Sequence, residues 1–277
     1  MISVLFYGNC QPAALMRTIC FDKTKYISTY IPCYQTELDE SSFLKYILES
    51  NIIITQSIND NYRNKHYLST SFVINNAKET TKIIIFDSCH FNFYYFDLTY
   101  KKIDNELIRK PIDYHYNTMI DYYKNNLSAE KYIEDCINNV DIKTNEDLEI
   151  IANKSLLEMN MRYTNIKLKY VNTNIYIISI YDYVKENYKK KLLFYSMNHP
   201  TKYVFQYISE QIINYLHISN NIDYNIDTLN NQKCIIYKCI QKNVNFNISE
   251  CIPLLNGLTD INLIVKQYYE EYKKISI

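Results

Sequence analysis

Four short clusters in this chain hold side chains suited to acyl chemistry: Gly8-Asn9-Cys10-Gln11, Gln56-Ser57, Asp87-Ser88-Cys89-His90 and Asn198-His199-Pro200. A thiol nucleophile needs a base within hydrogen-bond reach, and donors aimed at the oxyanion that forms when a carbonyl is attacked. Cys10, with His199 or His90 as base and the side-chain amides of Asn9 and Gln56 as donors, supplies those residue types, and the backbone N–H groups of Cys10 and Gln11 would complete an oxyanion hole. Gly8 is one of only two glycines in the chain, so its place at a strand-to-helix corner points to a positive φ or a close approach. Cys10 falls where a starting helix leaves N–H groups unpaired and its dipole favours an anion. A thiolate there is expected to have a lowered pKa. Taken singly, each residue also has a plain reading, since a cysteine fills apolar space and a lone histidine is more often structural. Their recurrence after apolar runs is what favours chemistry.

Those runs are the elements that must position the clusters. Val4-Leu5-Phe6, Ile52-Ile53-Ile54 and Ile83-Ile84-Ile85-Phe86 are continuous and apolar, as expected of strands buried on both faces. Pro12 opens a helix that Ala13 to Met16 propagate, to about Phe21. Tyr26 to Tyr34 alternates strand formers and contains Pro32, the pattern of an edge strand. Asp39 to Ser42 caps a helix through Leu48, and a further helix is expected from Tyr62 to about Asn76. Strands alternating with helices predict a parallel sheet, with ligands beyond the carboxyl ends of its strands. From about 101 to 170 the spacing turns helical, with Asn-rich breaks near Asn138-Asn139 and from Asn172 to Asn174, and reads as an insertion or lid. Tyr176 to Tyr188 reads as a helix. Leu192 to Tyr195 reads as a strand that brings His199 to the edge of the sheet, just before an amphipathic helix with Val204, Tyr207, Ile208, Ile212 and Leu216 on one face. The last sixty residues show a strand-like run, Lys233 to Ile240, a helix from about Asp260 to Lys274, and no motif. The predicted fold is one α/β domain over 1–277: a parallel sheet flanked by helices in three layers, SGNH- or Rossmann-like, with a helical insertion at about 101–170.

Composition narrows the function. Thirty basic and thirty acidic residues give a formal charge of zero, so no bulk attraction to nucleic acid or anionic membrane exists. No apolar run reaches the roughly 20 residues of a membrane span, and the N-terminus carries no signal-type segment, so the expected location is cytoplasmic. The eight cysteines form no CxxC pair, and Cys234 with Cys239 lacks partner ligands, so reduced thiols and no metal are expected. Neither GxGxxG nor GxxxxGK[ST] occurs. The thirty tyrosines accompany an excess of Asn, Ile and Lys, a pattern of biased coding rather than of stacking platforms.

Gly8-Asn9-Cys10-Gln11 at the end of the first strand resembles the signature of the WcbI family of polysaccharide-biosynthesis proteins, read as acetyltransferases that bind coenzyme A. Gln56-Ser57-Ile58-Asn59-Asp60-Asn61-Tyr62-Arg63, Tyr67-Leu68-Ser69-Thr70, the segment Phe91 to Leu98 and Asn198-His199-Pro200-Thr201 follow in the family's order. The likeness covers roughly residues 1–100 and 190–217. It implies acetyl transfer from acetyl-CoA to a sugar, nucleotide-sugar or glycan acceptor, with no metal. On that reading Cys10 is the nucleophile or lines the thioester site, and His199 is the base, with His90 as the other candidate. Asn9, Gln11 and Gln56 would bind the carbonyl or orient the pair. Gly8 lines the coenzyme A site, and Arg17, Arg63 and Lys65 are candidates for the phosphates because forked or point cations suit them. Two alternatives stay open: an SGNH-like acyl-esterase or deacetylase, and a non-catalytic glycan- or partner-binding protein. A homodimer is compatible with the sequence but not fixed by it.

Overall fold

The structure is a computed structural model that describes residues 1–35, 37–171, 175–219 and 221–275. The break expected from Asn172 to Asn174 lies outside them. The described residues divide into two compact units. The first is drawn from Met1–Cys89, Glu158–Val184 and Pro200–Thr228, the second from His90–Leu157, Lys185–His199 and Leu229–Ile277.

The first unit is a five-stranded parallel sheet. Its strands are β1 (Ile2–Gly8), β2 (Tyr26–Pro32), β3 (Ile52–Gln56), β4 (Lys82–Phe86) and β5 (Ile175–Ile178), bonded in the order β2-β1-β3-β4-β5. The apolar runs are buried on both faces as their sequence requires: Val4, Phe6, Ile54, Ile84 and Ile85 are wholly excluded from solvent. In register, Leu5, Ile53 and Ile83 lie side by side, and Phe6, Ile54 and Ile84 lie on the opposite face. The first face packs Leu5, Tyr7 and Ile53 against Phe43 and Ile47 of helix α2 (Glu40–Glu49) and Val73 of α3 (Thr70–Asn76). It continues over β4 and β5 as Ile83, Ile85, Ile175 and Ile177 against Ile166. Helix α1 (Cys10–Thr18) packs on β1 and on the helix Lys202–Leu216, giving the third layer.

Because β2 lies on one side of β1 and β3 on the other, the winding reverses between β1 and β3. In open α/β sheets the crevice beyond the carboxyl ends at such a reversal is where ligands bind. β2 is the edge strand, as Pro32 demands.

Several elements differ from expectation. Helix α1 stops at Thr18 instead of near Phe21, because Ile19–Cys20 pairs antiparallel with Asn221–Ile222. Residues 62–68 form two 3₁₀ turns ahead of α3 instead of its first turns. Arg63 and Asn64, at φ 52° and 57°, are left-handed and interrupt an α-helix. Ile175–Ile178 is a strand, and the helix expected over Tyr176 to Tyr188 is confined to Tyr181–Asn187. Four β-branched or aromatic residues complete the sheet there.

In the second unit, the region expected to be helical from 101 begins with two short antiparallel pairs. Leu98–Tyr100 pairs with Tyr114–Tyr116, and Lys102–Ile103 with Glu106–Leu107. Helices start only at Asn117–Lys124. Phe194–Ser196 is a short strand outside the five-stranded sheet, so His199 does not follow a strand of that sheet. The run Lys233 to Ile240 gives one bridge, Lys233 to Leu254, and then the helix Lys238–Gln241. The core of this unit is aromatic, with Phe91, Phe93, Tyr94, Tyr116, Tyr132, Tyr268 and Tyr272 almost wholly buried.

Candidate active site

The reversal between β1 and β3 is occupied by the first sequence cluster. Gly8 has φ +146°, and a Cβ there would lie 2.8 Å from Pro12 Cγ and 2.9 Å from Gln56 Cβ. Only glycine lets the loops after β1 and β3 approach this closely. Asn9 caps α1, its side-chain oxygen accepting the Gln11 N–H at 2.9 Å, and Cys10 is therefore the first residue of the helix. The Asn9 N–H donates to Gln56 Oε1 at 3.2 Å, and its carbonyl accepts the Tyr30 hydroxyl at 2.6 Å.

Gln11 and Gln56 form a buried amide relay. Gln11 is fully buried; its Nε2 donates to the Cys89 carbonyl at 3.1 Å and its Oε1 accepts the Cys89 N–H at 3.2 Å. Gln56 Nε2 donates to Gln11 Oε1 at 3.2 Å and to Ser88 Oγ at 2.8 Å. The loops after β1, β3 and β4 are thus tied together by two side chains. Both amide protons of Gln56 are engaged in this tie, which makes it a holder of the crevice walls rather than a donor directed at a ligand.

Cys10 is half-buried at the head of α1. Contrary to the lowered pKa expected, burial pushes its thiol up to about 11, and its backbone N–H at the helix start offsets only part of that cost. The thiol is protonated at neutral pH. Asp87, at the end of β4, is buried and accepts from Arg162 Nε at 3.3 Å. Desolvation outweighs the guanidinium and pushes the carboxyl up to about 6. Arg162 stands 75 residues from Asp87 in the chain, so no spacing could reveal the pair.

The candidate phosphate-binding cations lie on α1 (Arg17) and on the 3₁₀ turns at 62–68 (Arg63 and Lys65). Arg63 Nη1 donates to the Tyr34 carbonyl at 2.8 Å, and its guanidinium lies 6.0 Å from the Tyr62 ring centre. Lys65 Nζ lies 5.6 Å from the Tyr67 ring centre. Arg17 is exposed in the last turn of α1, about 10 Å further along the helix axis than Cys10.

His90 and His199 belong to the second unit. His199 packs edge-on to Tyr114, with ring centres 5.7 Å apart. The Tyr114 hydroxyl donates to Asn198 Oδ1, Asn198 Nδ2 donates to the Tyr100 hydroxyl at 2.9 Å, and Ser196 Oγ donates to Asn198 Oδ1 at 3.3 Å. His199 Nδ1 is buried without a hydrogen-bond partner among the described residues. Burial pushes its imidazole down to about 4, so the ring is neutral at pH 7 and able to accept a proton. His90 is half-buried. His115, by contrast, is a structural histidine, its two nitrogens placed 3.2 Å from Tyr272 Oη and 3.3 Å from the Ile108 carbonyl. No group of three or more His, Cys, Asp or Glu side chains suited to a metal ion occurs among the described residues. No described helix is long and apolar enough to cross a membrane.

A doubly wound parallel sheet whose reversal point carries a glycine corner, a helix-capping Asn and a cysteine defines an α/β protein built around a strand-end crevice. The profile of one family, described as polysaccharide biosynthesis enzyme WcbI, matches residues 3–221, and the chain belongs to that family. A solved structure of WcbI, described as a novel polysaccharide biosynthesis enzyme, superposes with a TM-score of 0.80 at 18% identity, over 99% of this chain and 90% of that one. It is described as the native protein without a disulfide bond between coenzyme A and one of its cysteines. No curated protein was found to match the sequence.

Proposed function

We propose that this protein transfers an acetyl group from acetyl-CoA, its substrate, to a sugar, nucleotide-sugar or glycan acceptor in polysaccharide assembly. The observation that carries the reading is Cys10 as the first residue of α1 at the sheet's reversal point, beside the loops that Gly8, Gln11 and Gln56 bring together. The WcbI structure, described as lacking a disulfide bond between coenzyme A and a cysteine of that protein, supports the link to coenzyme A. Cys10 handles the acyl group and His199 is the base, a role that its unpartnered Nδ1 supports and that its burial, which holds the ring down to about 4, opposes. In the covalent route the base takes the thiol proton as Cys10 Sγ attacks the thioester carbonyl. The coenzyme A sulfur leaves and is protonated, and the acceptor then attacks the acyl-cysteine and restores the thiol. The raised Cys10 thiol favours a second route, in which Cys10 only lines the thioester and the base deprotonates the acceptor directly. Asn9, Gln11 and Gln56 act as positioning residues, His90 is the alternative base, and Arg17, Arg63 and Lys65 are candidates for the phosphates.

Incubation with acetyl-CoA followed by intact-mass analysis tests this reading. An acetyl group on Cys10 marks the covalent route. His199→Ala is expected to lower transfer about 100-fold or more. Cys20 is exposed and should be alkylated first, so the informative readout is selective protection of Cys10 by coenzyme A. Esterase activity on acetylated sugars without coenzyme A binding would establish the hydrolase instead. Biological activity untouched by Cys10→Ala and His199→Ala would establish a non-catalytic binding protein.

A further inference from the structure

Of the four arginines, Arg162 alone has a buried ion-pair partner among the described residues. Its Nε donates to Asp87 Oδ2 at 3.3 Å, and the two side chains are 32% and 2% exposed. The Arg109–Asp113 pair, by contrast, is exposed on both sides, and Arg63 donates to a backbone carbonyl. Burying a carboxylate costs free energy that a guanidinium beside it repays only in part. At Asp87 burial outweighs the guanidinium, so ionising this carboxyl in the folded chain costs stability at neutral pH. The pair is therefore not explained by the strength it gives the fold.

Its position gives another reason to keep it. Asp87 is the first residue after β4, whose last residue, Phe86, pairs with Gln56 of β3 on one side and Ile178 of β5 on the other. The next two residues belong to the amide relay: Ser88 Oγ accepts from Gln56 Nε2 at 2.8 Å, and Cys89 exchanges two hydrogen bonds with Gln11, the neighbour of Cys10. Arg162 is thus fastened at the carboxyl end of the sheet, where open α/β sheets bind their ligands. The bond through Nε sets the plane of the guanidinium, and the other four N–H donors lie on its two terminal nitrogens. A planar fork held in this way matches two oxygens of a phosphate group, which a point cation such as lysine does not. The ligand follows from the acyl-transfer reading given above, on which this inference rests: acetyl-CoA and a nucleotide-sugar acceptor each carry a diphosphate. We propose that Arg162 binds the diphosphate of a substrate, with Asp87 as its positioning residue.

Calorimetric titration of the full chain with dephospho-coenzyme A, pantetheine and UDP tests it. Dephospho-coenzyme A keeps the diphosphate and lacks the 3′-phosphate, pantetheine is the thiol arm without phosphate, and UDP is a nucleoside diphosphate alone. Arg162→Met should weaken binding of dephospho-coenzyme A, of UDP or of both about 10- to 100-fold and leave pantetheine unchanged. Arg162→Lys, which keeps the charge and loses the fork, should recover only part of that loss. A loss confined to dephospho-coenzyme A assigns the acyl donor's diphosphate to Arg162, and a loss confined to UDP assigns the acceptor's. Because Arg162→Met leaves a buried carboxylate unpaired, the double variant Asp87→Asn with Arg162→Met is the second test: with both charges gone the melting temperature should return to that of the wild type while the diphosphate affinity stays low. A double variant that regains the affinity, a pantetheine loss as large as the diphosphate loss, or a wild type that binds neither diphosphate overturns the proposal. Diphosphate binding through Arg162 in a chain that transfers no acetyl group would overturn the transferase reading and leave this assignment standing.

Discussion

The two units bury polar atoms in different ways. In the first, side-chain amides join loops: Gln11 alone meets the N–H and carbonyl of Cys89 and the amide of Gln56. In the second, tyrosine hydroxyls each serve one or two partners inside an apolar core. Tyr94 donates to the Tyr188 carbonyl at 2.6 Å, Tyr95 to the Phe194 carbonyl at 3.0 Å and Tyr268 to the Tyr114 carbonyl at 2.9 Å. A buried ring with one hydroxyl satisfies a local need and leaves the element where packing puts it. A shared amide makes the positions of three loops depend on one another, which is what a preformed crevice requires. Gln11→Leu should therefore carry the largest penalty. It strands two backbone groups and one amide in a site without solvent, for about 3 kcal/mol or more of unfolding free energy by urea titration, with loss of coenzyme A protection of Cys10. A penalty no larger than that of deleting one buried tyrosine hydroxyl would break the contrast.

The buried carboxylates sharpen it. Asp87 and Asp97 are both raised by burial. Asp87 is opposed by a charged partner, Arg162, and Asp97 by neutral donors, Tyr237 and Thr118. The Asp87 carboxyl rises from 3.8 to about 6, so the folded chain holds its proton more tightly than the unfolded chain. Its contribution to stability is full below about pH 4 and lost as pH rises through about 6, to a total of about 3 kcal/mol. Asp39, Asp60 and Asp147 are lowered and act in the opposite direction, so the readout is the difference between wild type and Asp87→Asn across that window. The wild type should lose stability relative to the variant between about pH 4 and 6. Parallel curves would mean that the Asp87 carboxyl is solvated rather than buried.

What the sequence discloses follows the same division. β1, β3 and β4 are legible because strands buried on both faces must be continuously apolar, and Gly8 is legible because a chain with two glycines spends one at a corner. β5 was hidden because Ile175–Ile178 is only four residues long and runs on into a helical pattern. The 3₁₀ turns at 62–68 follow from left-handed Arg63 and Asn64, a conformation that Asn tolerates but that Arg63 does not announce. The pairs between 98 and 116 are too short and too polar on one side to show a period. At the crevice, Asn9, Cys10 and Gln56 were visible as residue types at strand ends. The raised Cys10 thiol was not, because desolvation is set by what packs around a side chain and not by its neighbours in sequence.

The smallest effect is expected in the tyrosine core. The Tyr116 hydroxyl accepts the Ile235 N–H at 2.6 Å, while its ring stacks on Tyr237 with centres 6.2 Å apart and meets Tyr268 edge-on at 5.7 Å. Tyr116→Phe keeps both ring contacts and the volume of the ring, and removes one acceptor from a buried backbone donor. The cost should be about 1 to 2 kcal/mol, the range of a single unmet buried hydrogen bond, and should appear in urea titration with an unchanged slope. Because the hydroxyl joins no second loop, coenzyme A protection of Cys10 should match the wild type. Loss of that protection in Tyr116→Phe would mean that the aromatic core, and not the amide relay alone, sets the shape of the crevice.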